Sequence, residues 1–455
     1  MTRSPNLEDI STRLQRIAQL AREDPKRVFV SLAHHIDVDL LREAYRRTRK
    51  DGAPGVDGQT ATEYEENLEE NLQGLLDRFK SGSYKAPPVR RVYIPKGNDP
   101  SKTRPIGVPT FEDKILQRAV TMVLEAVYEQ DFLDCSYGFR PERSAHQAIG
   151  LLREGLMSMG GGWILEADIQ GFYDILDHSQ LRGFLDQRVR DGVLRRTIDK
   201  WLRAGVMEEG TLSHPATGTP QGGVVSPILS NIYLHKVLDE WFEGVVKPRL
   251  GGAAFLIRFA DDFVVVFQRE ADARRVLEVL PKRLGKYGLC LHPDKTRLVR
   301  FERPGRKPEP RQPHEEPRSF DFLGFTHYWE KSRRGSWVVK HKTASDRFTR
   351  ALKRANQWCQ RNRHAPIAWQ HARLLSKLRG HYEYYGLPGN SKCLNSVHHW
   401  VKRIWRKWLG RRSRTSDMTW ERFNLLLERY PLPNPRICPV PAVAQRTRGP
   451  RNRMR

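Results

Sequence analysis

The chain has 455 residues, with 79 Lys or Arg against 53 Asp or Glu, a net charge of +26. Its 11 Trp, 14 Tyr and 18 Phe can build sizeable cores, which excludes a disordered chain, and its length predicts two or three domains. Cys135, Cys290, Cys359, Cys393 and Cys438 show no paired spacing, which excludes a disulfide framework or zinc ribbon and points to a reducing, cytoplasmic compartment.

Ile10, Leu14 and Ile17, then Leu68, Leu72, Leu75 and Leu76, recur at helical spacing, so residues 7–80 are predicted to be mostly helix. Gly52-Ala53-Pro54-Gly55-Val56-Asp57-Gly58 interrupts them, either as a plain loop or as a close backbone approach to a ligand. Val89–Pro95 reads as a strand, 96–101 as a turn and 111–130 as a helix. Trp163–Ile169 reads as a buried strand and Phe255–Phe267 as a strand pair. Residues 271–286 should be helical, with Val276, Val279, Leu280 and Leu284 on one face and Pro281 kinking the helix or ending it early. Residues 303–317 hold five prolines among charges and read as a flexible insertion. Helices are expected at 344–360, 366–386, 393–412 and 418–429, then a basic tail with six Arg and no acid in the last 20 residues. No signal peptide is visible, and no apolar run is long enough to span a bilayer, so no membrane partner is expected.

The basic charge attracts polyanions, and nucleic acid is the commonest of them. It is also uneven: residues 331–414 carry 22 Lys or Arg, only two acids and six of the 11 Trp. Such a region can pair phosphates with cations and stack bases on rings.

Phe259-Ala260-Asp261-Asp262 lies between two apolar β-type runs, the pattern of a hairpin. Adjacent aspartates repel in so greasy a setting, and a bound cation would resolve the conflict; a solvent-exposed turn would do so equally. Asp168 ends the mostly apolar run from Trp163. Alone it reads as a helix N-cap or turn residue, but beside a carboxylate hairpin it can complete a two-metal site for phosphoryl transfer. Gly218-Thr219-Pro220-Gln221-Gly222-Gly223 enters an amphipathic helix through Leu229, Ile232, Tyr233 and Val237. It is either an ordinary junction or a close approach to a phosphate or base.

In this order the motifs resemble the fingers and palm of reverse transcriptases. Asp168 with Phe172-Tyr173, the segment around Gln221, Phe259 to Asp262 and Leu291-His292-Pro293-Asp294-Lys295-Thr296 are similar to that family's successive motifs. Phe320-Asp321-Phe322-Leu323-Gly324-Phe325 looks like its primer-contacting segment. Ile94-Pro95-Lys96, Arg104 to Thr110, Ser136 to Pro141, Arg379-Gly380-His381-Tyr382 and Arg411-Arg412-Ser413 resemble bacterial group II intron proteins, over about residues 40–436.

The resemblance implies an α+β right-hand polymerase, with fingers and palm of antiparallel sheet plus helices followed by an all-helical thumb or maturase domain. It implies an N-terminal extension and start of the fingers at 1–88, fingers and palm at 89–330, the thumb at 331–435 and the basic tail at 436–455. Two Mg²⁺ would be held by Asp168, Asp261 and Asp262 with the Ile169 carbonyl; zinc is not expected, since Cys393, His398 and His399 match no zinc spacing. The deoxynucleoside triphosphate would meet Lys96, Arg104, Tyr173 (as the ring excluding a 2′-hydroxyl), Gln221 and Lys295 (as a general acid). Phe259, Leu323 and Gly324 would touch nucleic acid, and so would Lys402, Arg403, Arg406, Lys407, Arg411 and Arg412. The stripe Leu394, Val397, Val401, Ile404, Trp405, Trp408 and Leu409 reads as core.

The implied function is RNA-directed DNA synthesis on an RNA template and DNA primer, with help to intron RNA splicing and mobility; no protein partner is evident. Family members that cut DNA add a Cys- and His-rich region after the point where this chain stops, so second-strand cleavage is not expected. The competing readings are a splicing-only RNA-binding cofactor and a domesticated reverse transcriptase in a defence system. RNA-templated RNA polymerases share the palm plan but usually carry Gly before the two aspartates, where this chain has Ala260.

Overall fold

The computed structural model describes residues 7–95, 103–208, 210–213, 217–219, 222–304, 319–413 and 418–438. Lys96, Gln221, residues 305–317 of the Pro-rich insertion and the basic tail beyond 438 lie outside them.

Helices α1 (Leu7–Glu23), α2 (Val38–Arg47), α3 (Ala61–Glu65) and α4 (Leu68–Ser81) occupy the N-terminal stretch, as their spacing predicts. Strands β1 (Val89–Pro95) and β2 (Thr103–Val108) follow, then α5 (Phe111–Tyr128) and α6 (Ala145–Met159). Next come β3 (Trp163–Asp168), α7 (Phe172–Ile175), α8 (His178–Leu185) and α9 (Gly192–Arg203). Short strands β4 (Val206–Glu208) and β5 (Thr211–Ser213) precede α10 (Ser226–Leu234), which runs on into a π turn at His235–Asp239. The predicted strand pair is β6 (Ala254–Phe259) and β7 (Asp262–Phe267), followed by α11 (Glu270–Gly285). Strands β8 (Arg297–Arg300), β9 (Ser319–Phe322), β10 (Phe325–Lys331) and β11 (Trp337–Thr343) lead to α12 (Ser345–Arg361), α13 (Ile367–Tyr385), α14 (Ser391–Leu409) and α15 (Trp420–Arg429).

The described strands form three sheets, ordered β2-β1-β4-β5, β6-β7-β3-β8 and β11-β10-β9. Two compact units divide the elements. One collects the described residues of 1–142, 167–265 and 271–297, the other those of 143–166, 266–270 and 298–455. Among the described residues no helix is long and apolar enough to cross a membrane.

In the first unit α5 is the organising helix. Thr110 caps it by accepting the Asp113 N–H, and Phe111, Ile115, Leu116, Ala119 and Val120 are buried along it. Asp113 is buried too, and it is fully answered by Tyr84 Oη (2.5 Å), Trp201 Nε1 (2.7 Å) and Gln117 Nε2 (2.9 Å). Burial still pushes its carboxyl up to about 6, because desolvation outweighs three donors. Gln117 then accepts the Val225 N–H at 3.2 Å, which ties the loop before α10 to α5.

Three expectations need correction. Pro281 does not end α11 early: it is an exposed residue inside the helix, which runs on to Gly285. Val279 is exposed, and the buried stripe is Ala273, Val276, Leu280 and Leu284. Residues 331–343 do not open an all-helical region: Trp337–Thr343 is strand β11, paired antiparallel with β10, and the helices start at Ser345.

In the second unit the helices close around Leu374, Leu378 and Tyr382 of α13, Leu394, Val397, Val401 and Trp405 of α14, and Phe423 of α15. The stripe read as core is core. Trp405 donates to Gln370 Oε1 (3.0 Å) and Trp408 to Asn356 Oδ1 (2.9 Å), so both indoles bury with their N–H groups satisfied.

The β9-β10-β11 sheet holds an unusual pair. His327 and His341 face each other in register on β10 and β11 and are 0% and 5% exposed, and the ring nitrogens of His341 have no hydrogen-bond partner. Burial pushes His327 down to about 3 and His341 to about 4, so both stay neutral in the fold. Unfolded, each binds a proton near the ordinary imidazole value of 6.5, so stability is complete above that pH and falls as pH drops from 6.5 toward 4. Replacing His327 by Phe, which preserves the stack on Phe320, is expected to gain about 2 kcal/mol at pH 5 relative to pH 8. Thermal melting of both proteins at the two pH values checks this.

Candidate active site

The hairpin of β6 and β7 turns through Ala260 and Asp261. Ala260 has φ +57°, a left-handed conformation that costs an L-residue about 1–2 kcal/mol and that Gly or Asn would meet more easily. The surroundings hold it there. Arg258 is 0% exposed, and its guanidinium donates to the Ala260 carbonyl at 3.1 Å, to Asn231 Oδ1 at 3.0 Å and to both Asp239 oxygens at 2.7 and 2.6 Å. Asn231 in turn donates to the Gly138 carbonyl at 2.8 Å. Gly138 lies flat against the turn, and a Cβ there would collide with the Ala260 backbone nitrogen. Beside it Phe139 reaches the Phe259 ring at 6.4 Å.

Asp168 stands at the end of β3. The residues after it bridge to the 290–292 segment: Gln170 N donates to Cys290 O (2.9 Å) and His292 N to Asp168 O (2.8 Å). In the turn that follows the bridge, Lys295 Nζ lies 2.5 Å from Asp168 Oδ2. Asp261 is half-buried, and desolvation raises its pKa. Asp168 raises it further through repulsion, while Arg104 and Lys295 pull it down. Tyr173 feels the same neighbours: burial raises its hydroxyl, then the Asp261 charge, against a hydrogen bond with Ser230 and the charge of Arg104. Phe172 is buried and fills the core, leaving Tyr173 as the half-buried ring of the pair.

Asp168, Asp261, Tyr173, Arg104 and Lys295 therefore share one electrostatic neighbourhood. They do not form a closed cage: among the described residues no three His, Cys, Asp or Glu side chains are grouped to hold a metal ion. Hard carboxylate oxygens that repel one another still suit a divalent cation, which needs few protein ligands when water and substrate complete its shell. The glycines of the glycine-rich junction approach the protein's own main chain. Gly218 lies on the Tyr173 and Asp174 carbonyls, where a Cβ would come within 2.7 and 2.8 Å, and Gly222 lies on the Gly107 carbonyl at 2.5 Å. These glycines let the loop pack on the protein's own backbone.

The sequence profile described as "Reverse transcriptase (RNA-dependent DNA polymerase)" matches residues 94–327, just over half of the 455. The chain belongs to the reverse transcriptase family. Protein YkfC of Escherichia coli (strain K12) is 36% identical over 329 residues, 64% of this chain and 84% of that protein. The group II intron-encoded protein LtrA of Lactococcus lactis subsp. cremoris is 37% identical over 226 residues, 49% of this chain and 37% of LtrA. The chain thus spans little more than a third of that relative's length. Among solved structures it is similar to telomerase from Candida albicans, solved with a fragment of telomeric RNA, at TM-score 0.43 and 15% identity over 81% of this chain and 65% of that one. The reverse transcriptase match falls on a mixed α+β region of antiparallel sheets and helices, and a helical C-terminal region follows it.

The primer-contacting segment expected of a reverse transcriptase is the tight turn between β9 and β10, with Leu323 at φ +50° and Gly324 at φ +78°. Tyr384 Oη donates to the Leu323 carbonyl at 2.9 Å, and Ala344 N donates to the Gly324 carbonyl at 3.0 Å. The cations around α14 divide. Arg412 donates to the Arg363 carbonyl (2.6 Å) and to that of Ala365, and Arg406 donates to the Met418 carbonyl (2.7 Å) beneath the Trp420 ring. Both are committed to internal bonds. Arg403, Lys407 and Arg411 are exposed, and Lys402 is half-buried.

Sequence reasoning passed over Arg258, Asp239 and Asn231. The available signal was an arginine inside the otherwise apolar run Phe255-Leu256-Ile257-Arg258-Phe259. The division of the α14 cations is testable. Arg412→Ala should lower stability by about 1–2 kcal/mol through its two lost carbonyl bonds, whereas Lys407→Ala should leave melting unchanged and reduce the salt dependence of RNA binding.

Proposed function

We propose that this protein copies RNA into DNA and assists the splicing and mobility of a group II intron RNA. The observation that supports it best is Asp261, held at the tip of a strained hairpin within the electrostatic reach of Asp168, Arg104 and Lys295. In this reading Asp168, Asp261 and Asp262, with the Ile169 carbonyl, hold two Mg²⁺. Bound there, the ions would lower the pKa of the primer 3′-hydroxyl and offset charge on the leaving pyrophosphate.

The protein's own groups do the rest. Arg104, with Lys96 of the fingertip, neutralises the triphosphate of the incoming nucleotide. Tyr173, backed by Phe172 (ring centroids 5.4 Å apart) and tied to Ser230, sets a floor below the sugar that excludes a 2′-hydroxyl. Gln221, in the segment similar to the family's second motif, meets the nucleotide. Lys295 supplies a proton to the pyrophosphate after leaving Asp168. Phe259 and the Leu323-Gly324 turn contact the primer–template. Residues 89–330 act as fingers and palm after an extension at 1–88, 331–435 as thumb and maturase domain, and 436–455 as a basic tail. Lys402, Arg403, Lys407 and Arg411 give that thumb its phosphate-facing charge, matched to RNA shape as much as to sequence.

Primer extension on an RNA template with deoxynucleotides and Mg²⁺ tests the reading. Asp261→Ala should lose at least about a hundredfold in rate while retaining affinity for structured RNA. Undiminished synthesis by that variant would remove the proposed metal site. Tyr173→Ala should raise ribonucleotide incorporation by about tenfold or more relative to deoxynucleotides, read by alkaline cleavage of the product.

A further inference from the structure

We infer that Arg258 is the positioning residue of the catalytic hairpin, with Asp239 and Asn231 holding it in place. The inference rests on the proposed role of Asp261. A guanidinium offers five donors in a fixed plane. Four of its contacts are seen here: two with Asp239, one with Asn231 and one with the Ala260 carbonyl. The first three fix the plane, and the fourth uses that plane to fix the turn.

The bond to Ala260 is the informative one. Ion pairing alone needs only Asp239, which is 0% exposed and lies at the end of a π turn, a local irregularity common at functional sites. A pair kept only for stability would have no need to reach a strained turn next to Asp261. The opposite side of that turn is closed by Gly138, whose carbonyl is held by the same Asn231. Two further backbone bonds lock the register: Tyr137 N to Arg258 O and Arg258 N to Cys135 O, both 2.8 Å. Ala260 is thus fixed at its carbonyl by Arg258 and crowded at its nitrogen by Gly138. Asp261 inherits its position from both.

The test separates this role from plain stability. Replacing a buried ion pair by apolar residues of similar size is often neutral for folding, while removing one partner alone is not. Arg258→Met with Asp239→Leu should therefore melt near the wild type, yet the turn loses its donor. In that double variant kcat for primer extension should fall by about tenfold or more, with KM for the deoxynucleotide changed much less. The backbone amides of 259–262 should also exchange with deuterium faster than in the wild type. Arg258→Lys is the second variant, for the case that the double variant does not fold. It keeps the charge on Asp239 but has no planar fork to span all the acceptors, so the same kcat loss and faster exchange are expected. A folded variant of either kind with wild-type kcat and wild-type exchange overturns the inference. The exchange measurement requires no catalysis, so it judges the brace even if the wild-type protein extends no primer, a result that would count against the proposed function alone.

Discussion

The ion pair between Arg258 and Asp239 is the constraint around which the first unit is arranged. Taking both charges out of water is expensive, and their attraction offsets that cost only when every donor and acceptor is satisfied. Here Asp239 takes two bonds, and Asn231 and the Ala260 carbonyl absorb others. Meeting these bonds together holds α10, its π turn, the β6–β7 hairpin and the 135–139 segment in one mutual geometry. A greasy core could have supplied the same stability with far less directional precision. Hydrogen bonds to a planar cation specify direction as well as distance.

Backbone-on-backbone contact recurs around the site. Gly138 rests on Ala260, Gly218 on Tyr173 and Asp174, and Gly222 on Gly107. Each removes a side chain where two main chains must meet. The site is built from loops and strand ends, which have few side-chain contacts of their own, and such close approach supplies the rigidity that regular structure supplies elsewhere.

Much of this was legible in the sequence, and for local reasons. β1 is bounded by the residues that bound it in the reading, Val89 and Pro95. The hairpin showed as two apolar runs around a polar break, and Asp168 as a carboxylate at a strand end. The α14 stripe declared a core through its spacing alone. What escaped was long-range. Nothing near Arg258 announces that its partner lies 19 residues earlier on a helix. β11 was hidden because Lys340 and Lys342 alternate with His341, whose burial depends on the facing His327 rather than on its own polarity. Arg406 and Arg412 read as free cations because the carbonyls they meet belong to the connections between helices, main-chain groups that carry no sequence signature.

The tight turn at Leu323-Gly324 has a mechanical side. Its first carbonyl is bonded to Tyr384, whose own carbonyl lies 2.7 Å from His146 Nε2 on α6, and its second to Ala344 at the start of α12. Tyr385 sits over Gly324, close enough that a Cβ there would come within 3.2 Å of its hydroxyl. Turn, helix start and the end of α13 form a stiff linkage, a bell-crank with its short arm at Leu323. The position of the turn is thus tied to a helix more than 60 residues away in the chain.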